Sequence, residues 1–244
     1  VKILQVKHYD EMSQKAAELL IDRIRRSPGI NLGLATGGTP VGLYAQMVND
    51  HQKNHTSYRD VTTFNLDEYM GLSGEDPNSY RLFMDKHLFN HIDIQKSNTH
   101  VPIGDTDNPN QQCSDYENLI ERHGGIDLQV LGIGSNGHIG FNEPGTSFHS
   151  ETHIVELTPS TREANARYFN SLNEVPSHAI SMGIASIMRS REIVLLVSGD
   201  AKRDALEHLL QGDVNESFPA SILKTHPAVT IIADEAAIGK TLAP

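Results

Sequence analysis

The 244-residue sequence has no tryptophan and a single cysteine, Cys113. One cysteine excludes an intrachain disulfide and fits a reducing compartment, so the expected setting is cytoplasmic. No apolar run approaches the roughly 20 residues that a membrane-spanning helix needs, and no segment has a signal-peptide h-region, so no membrane partner is expected. Basic blocks are missing too. The formal net charge is -11, which argues against nucleic acid as a partner. It does not argue against a small anion, because a local pocket of Arg, Lys and backbone N–H groups can oppose the global sign. Paired-cysteine motifs, HExxH and GxxxxGK[ST] do not occur, which removes the usual signals for zinc and for a P-loop, and the Thr36–Thr39 turn is not GxGxxG either. The 13 histidines are dispersed, as solvated or structural imidazoles are. No internal repeat, low-complexity tract or linker breaks the chain, and one domain over residues 1–244 is expected.

What the chain does contain is a regular alternation of short apolar runs and helical patterns. Strands are expected at Val1–Val6, Ile30–Ala35, Val61–Leu66, Ile126–Ile133, Thr152–Leu157, Glu192–Val197 and Val229–Ala233, with a further short apolar run at Ala179–Ile184. Helices are expected after Asp10, read as an N-cap, after Thr39-Pro40, read as cap and first turn, from Ser79-Tyr80, up to about His123, from Pro159 through Arg167, and from Lys202. Residues 91–112 read as polar and turn-rich. This alternation predicts an α/β fold of three layers, a mostly parallel sheet with helices on both faces, Rossmann-like in a modified form. Right-handed crossovers place every strand-to-helix loop on one edge. Thr36–Thr39, Asp67–Tyr69, Ser135–Glu143 and Ser198–Lys202 are therefore expected to converge.

The segment LGIGSNGHIGFNEPG, Leu131–Gly145, is the centre of that set. It leaves an apolar strand and crowds Asn136, His138 and Glu143 between glycines, the anatomy of a functional loop beyond a strand's carboxyl end. Thr36-Gly37-Gly38-Thr39, between a strand and a helix, presents backbone N–H groups as a phosphate site does, though a plain tight turn reads equally well from that segment alone. Asp67 and Glu68 at a strand end suggest one working carboxylate and one structural one.

Four collinear segments, LATGGTP (34–40), NLDEY (65–69), GIGSNGHIGFNEPG (132–145) and TREANARYF (161–169), together resemble the isomerising glucosamine-6-phosphate deaminases. That resemblance implies conversion of glucosamine 6-phosphate and water to fructose 6-phosphate and ammonia, in amino-sugar catabolism, with no metal and no organic cofactor. It implies ring opening by His138, oriented by Glu143 and Asn136, and proton transfer from C2 to C1 by Asp67. Thr36, Gly37, Gly38, Thr39, Arg167 and Lys202 are the implied phosphate ligands, and residues from about 150 to 182 an implied lid. Asn136 is a departure, since many members of the family carry Asp there.

Longer members are hexamers activated by N-acetylglucosamine 6-phosphate, with basic residues shortly after the FNEP element. Here that stretch holds His153, Val155 and Glu156, and the chain ends at Pro244. The expectation is a short, non-allosteric form, a monomer, with a homo-oligomer left open. The alternatives are a 6-phosphogluconolactonase-like hydrolase and a sugar-phosphate-sensing regulatory domain, on the same fold. FNEP and NLDEY favour the deaminase over both.

Overall fold

The computed structural model describes residues 1–239; the chain end at Pro244 lies outside them. Ten strands and eight α-helices follow in the order β1 (Lys2–Val6), α1 (Tyr9–Arg26), β2 (Asn31–Leu34), α2 (Val41–Asn54), β3 (Thr62–Asn65), β4 (Asp67–Tyr69), α3 (Tyr80–His87), β5 (Thr99–His100), α4 (Pro109–Arg122), β6 (Leu128–Leu131), β7 (His153–Glu156), α5 (Pro159–Asn165), β8 (His178–Ser181), α6 (Ile184–Met188), β9 (Glu192–Val197), α7 (Arg203–Gln211), β10 (Val229–Asp234) and α8 (Glu235–Ile238). Seven strands form one sheet in the order β1-β10-β9-β6-β2-β3-β5, and every pairing in it is parallel.

Period-two alternation within the central strands sends side chains to two separate cores. Val194 and Leu196 of β9 face a cluster built by Met12, Ala16 and Leu20 of α1 and Leu43, Tyr44 and Met47 of α2. Ile193, Leu195 and Val197 face the other side, against Tyr116 of α4, Ile187 of α6 and Ala205, Leu206 and Leu209 of α7. Helices thus cover both faces, as the strand–helix alternation predicts. Strands β3, β6, β9 and β10 are buried along almost their whole length; β9 and β10 read as largely apolar runs for that reason, while β3 buries Thr62, Thr63 and Asn65 beside Phe64.

From β2 the chain crosses outward to β3 on one side, while from β6 it runs outward to β9 on the other. The strand order therefore reverses between β2 and β6, a topological switch point where a crevice opens beyond the carboxyl ends. The Thr36–Thr39 turn follows β2 and the Gly132–Glu143 loop follows β6, so both flank it.

Several local expectations change. Asp67–Tyr69 is not the end of β3. It is a strand of a second, antiparallel sheet ordered β4-β8-β7. Its core is Tyr69, Phe141, Val155, Leu157 and Ala179. Asp10 does not cap α1; His8 does, its Nδ1 accepting from Glu11 N at 3.3 Å. Thr39 does not cap α2, because Pro40 occupies the cap position with no side-chain bond. The Thr39 carbonyl instead accepts from Tyr9 Oη at 3.0 Å. Residues 91–112 hold the edge strand β5. Arg167 lies in a 3-10 turn after α5, and Lys202 in one before α7.

Candidate active site

A cavity of about 520 Å³ opens at the switch point. Thr36, Gly37, Gly38, Thr39, Asp67, Asn136, His138, Arg167 and Lys202 all line it, so loops far apart in sequence meet as the fold class requires. Glu143 stands one layer back, touching the cavity's residues rather than its space.

The loop after β6 is held by its own backbone. Gly134 N donates to His138 O and Gly137 N to Gly134 O, both at 2.9 Å. Asn142 is fully buried, and its Nδ2 donates to the Ile139 carbonyl at 2.9 Å and the Met182 carbonyl at 2.8 Å. Gly134 cannot carry a side chain here, since a Cβ would stand 2.2 Å from His138 Nδ1 and Cε1. The imidazole is therefore seated flat against backbone, in one orientation.

A chain of polar contacts fixes that orientation. Asn136 Oδ1 accepts from His138 Nδ1 at 2.8 Å. Asn136 Nδ2 donates to Glu143 Oε2 at 2.7 Å, and the Thr161 hydroxyl donates to Glu143 Oε1 at 2.6 Å. An amide oxygen can only accept, so Nδ1 carries the proton in neutral His138 and Nε2 is left with its lone pair. Burial lowers the His138 pKa below 6.5, Glu143 opposes that, and Lys202 adds to it. The ring is thus a neutral base at pH 7, with a carboxylate near enough (Glu143 Oε2 at 3.7 Å from Nδ1) to steady the imidazolium once formed.

Asp67 and Glu68 have different surroundings, because adjacent strand residues face opposite ways. Glu68 faces away from the cavity and accepts backbone N–H groups from Tyr69, Tyr80 and Arg81, each at 2.9 Å. It anchors the start of α3. Asp67 is 7% exposed and faces the cavity with no hydrogen-bond donor among the described residues. Burial, and secondarily the charge of Glu68, push its pKa up from 3.8 to about 8. A buried, donor-free carboxyl with its pKa raised toward neutrality is suited to exchanging a proton near neutral pH.

Another part of the lining is cationic. Arg167 and Lys202 line it without a carboxylate partner among the described residues, and the Lys202 pKa is lowered by burial and by Arg167. Two facing cations that repel each other are stabilised by an anion between them. The glycine turn faces them, with Gly37 at φ 87°, a conformation that costs other residues strain. Tyr9 braces the turn from α1, donating from Oη to the Gly38 and Thr39 carbonyls at 3.0 Å and accepting from Gly42 N at 2.9 Å. This local positive corner sits in a chain of net charge -11.

Sequence reading missed three contributors. Tyr9 lies 30 residues from its partner and gives no local signal. Thr161 and Asn165 lie within TREANARYF, four residues apart and so on one helix face, which was the available clue. Thr161 reaches Glu143, while Asn165 Nδ2 donates to Tyr69 Oη at 2.9 Å. Arg162, by contrast, donates to the Val175 carbonyl at 2.8 Å, bracing its own segment. Among the described residues no group of three His, Cys, Asp or Glu side chains is placed to hold a metal ion, and no helix is long and apolar enough to cross a membrane.

The family model for glucosamine-6-phosphate isomerases/6-phosphogluconolactonase matches residues 6–232. A glucosamine-6-phosphate deaminase of Halalkalibacterium halodurans is 62% identical over 240 residues, 98% of each chain. Glucosamine-6-phosphate deaminase 1 of Bacillus subtilis is 49% identical over 237 residues, 97% of this chain and 98% of that one. A solved structure of a monomeric glucosamine-6-phosphate deaminase superposes with a TM-score of 0.96 at 48% identity, covering 100% of both chains. A 6-phosphogluconolactonase of Trypanosoma brucei superposes with a TM-score of 0.81 at 18% identity, covering 99% of this chain and 98% of that one, and so shares the fold.

Proposed function

The chain belongs to the glucosamine-6-phosphate isomerase/6-phosphogluconolactonase family, and from that membership we propose how its cavity works. The enzyme converts D-glucosamine 6-phosphate and water to D-fructose 6-phosphate and ammonia, a reaction of amino-sugar catabolism. One observation carries this reading: a donor-free buried carboxylate, an oriented neutral imidazole and an unpaired cationic corner share one cavity.

The substrate is a closed pyranose. His138 Nε2 takes the anomeric hydroxyl proton and returns it to the ring oxygen, which opens the ring to the aldehyde. Asp67 then removes the C2 proton and delivers it to C1 through an enolamine. The C2 imine that results adds water and expels ammonia, leaving the ketose. Asp67 must be ionised to begin, and His138 neutral. The free enzyme's kcat/KM is therefore expected to rise with pH with unit slope through the Asp67 pKa, and more steeply below that of His138.

Arg167 and Lys202 hold the phosphate against the N–H groups of Thr36–Thr39 and the Thr hydroxyls. Lys202→Ala is expected to raise KM for glucosamine 6-phosphate by about 10- to 100-fold, the worth of a charged hydrogen bond, with a smaller change in kcat. Steady-state kinetics check this, and an unchanged KM removes Lys202 from the site. The excursion between β7 and β8, the inner part of residues 150–182, is the lid; it carries α5 and Arg167, and its closure excludes water.

Asn136 keeps the relay singly charged. An aspartate there would stand against Glu143, 2.7 Å from Asn136 Nδ2, and next to His138 Nδ1. Asn136→Asp is expected to keep deaminase activity and to move the steep part of the pH profile upward, because added negative charge favours the imidazolium. Complete inactivation would show that the amide itself is required.

The enzyme works as a monomer in the cytoplasm, where buried, unpaired Cys113 stays reduced. It lacks the basic triplet that an anionic activator needs, since His153, Val155 and Glu156 stand there. The experiment that tests the whole reading compares ammonia release from glucosamine 6-phosphate with hydrolysis of 6-phosphogluconolactone, each with and without N-acetylglucosamine 6-phosphate. Ammonia release with hyperbolic kinetics, indifferent to the N-acetyl sugar, is expected. Lactone hydrolysis alone would sink it.

A further inference from the structure

The contacts that orient His138 do not stop at Glu143. Thr161 donates to Glu143 Oε1 at 2.6 Å, and its hydroxyl in turn accepts from Thr158 Oγ1 at 2.9 Å. Thr158 caps α5, accepting from Thr161 N at 3.2 Å. Around Glu143 the polarity has one solution: the Thr161 hydroxyl donates from one side, the Asn136 amide nitrogen donates from the other, and Asn136 Oδ1 accepts from His138 Nδ1–H. Thr158 Oγ1 also lies 3.1 Å from Ser160 Oγ. Thr161 is buried, so without its hydroxyl one oxygen of Glu143 loses its donor in a place of low dielectric.

Helix α5 also reaches the other half of the cavity. Asn165, one turn on from Thr161, bonds Tyr69 Oη at 2.9 Å, and Tyr80 Oη bonds the same phenol at 3.2 Å. Tyr80 lines the cavity with Asp67, and Arg167 follows α5 directly. The seat of this one helix is therefore felt at the ring-opening relay, near the enolising carboxylate and at the phosphate corner.

We propose that Thr161 is a positioning residue which, through Glu143 and Asn136, makes the orientation of His138 depend on α5 being seated against the loop after β6. The proposal rests on the deaminase reading only for what that orientation is used for; the contacts stand without it. The charged groups facing His138 are Glu143 from its own loop and Lys202 from the turn before α7. Thr161 brings no charge of its own and acts on the imidazole only through Glu143. Without its hydroxyl, the Glu143 charge is less shared and attracts the imidazolium more strongly.

The test follows the His138 ring nitrogens by NMR across pH in the full chain, in wild type, Thr161→Val and Thr161→Ser. Thermal melting confirms folding, and the backbone cap from Thr161 N to Thr158 survives both changes. In Thr161→Val the His138 midpoint is expected to rise by about half a pH unit, and Thr161→Ser is expected to match wild type. In the same variant kcat for glucosamine 6-phosphate is expected to fall about 10-fold or more, the loss of one charged hydrogen bond. KM and the affinity for 2-amino-2-deoxyglucitol 6-phosphate, an acyclic analogue that needs no ring opening, should stay within about threefold. An unmoved His138 midpoint overturns the proposal, as does a loss confined to KM and analogue affinity. If wild type releases no ammonia but the midpoint still moves, the deaminase reading falls and the positioning role stands. If ammonia is released and the midpoint does not move, the reverse holds.

Discussion

Asp67→Asn is expected to lower ammonia release from glucosamine 6-phosphate by about 10²- to 10⁴-fold, the range for losing a positioned proton-transfer group. Substrate binding should persist, because the amide keeps the carboxylate's shape and Arg167 and Lys202 are unchanged. The same substitution has a second readout with the opposite sign. Burial raises the Asp67 pKa from 3.8 to about 8, so the folded state holds a proton that the unfolded chain gives up. A carboxyl whose folded pKa is raised costs stability progressively as pH rises from about 4 to about 8. Asn does not titrate. The variant is therefore expected to match wild type in unfolding free energy near pH 4 and to exceed it near pH 9, by a few kcal/mol at most, read by denaturant titration at each pH. A variant that is inactive and also less stable at pH 9 would mean that Asp67 is structural.

The second large effect concerns His138, approached by two routes. His138→Gln removes the base and is expected to cost about 10²- to 10⁴-fold in kcat while leaving the affinity for an acyclic phosphorylated analogue unchanged. Gly134→Ala leaves the histidine in the chain but puts a methyl group where the ring lies, 2.2 Å from Nδ1 and Cε1. The Gly134 backbone does not have a positive φ, so alanine adds no left-handed backbone strain, and the three atoms nearest its methyl group all belong to the His138 ring. A displaced ring is expected to cost about 10²-fold or more in kcat, with about 1–3 kcal/mol of stability lost to overpacking. Full activity in Gly134→Ala would show that the ring orientation does not matter to the reaction.

The parts of this molecule that the sequence makes legible are those in which one physical requirement dominates. Strands β6, β9 and β10 are buried on both faces, so their apolar runs need no context. The glycine turn after β2 and the glycine-rich loop after β6 announce themselves because unusual backbone shapes need glycine there. The convergence of Asp67, His138 and Lys202 follows from right-handed crossovers in a parallel sheet, although no single motif shows it. What was not legible is what depends on partners distant in sequence. β4 has three residues and β5 two, too few for a period to show, so Asp67 seems to end β3 when it begins a strand of another sheet. His8 caps α1 through an imidazole nitrogen, a rarer cap than the aspartate two residues later. Tyr9 braces the glycine turn after β2 from a different helix. The work of Thr161 depends on a carboxylate 18 residues away.

The role of Asn136 is sharper in the structure than in the sequence. As a replacement for aspartate it looks like a weakened orienting group. In the relay it accepts from the imidazole with one atom and donates to Glu143 with another, and only an amide does both without a proton of uncertain place. Glu143 supplies the negative charge that the amide lacks.

The account turns on Asp67 being a buried carboxyl held ready to exchange a proton with the substrate. The most direct measurement is a ¹³C titration of the Asp67 carboxyl in the intact protein, assigned by its loss in Asp67→Asn, set beside the pH dependence of kcat/KM for ammonia release. The account predicts a midpoint near 8 that coincides with the rise in kcat/KM. A midpoint near 4, with the kinetic rise elsewhere, would contradict it.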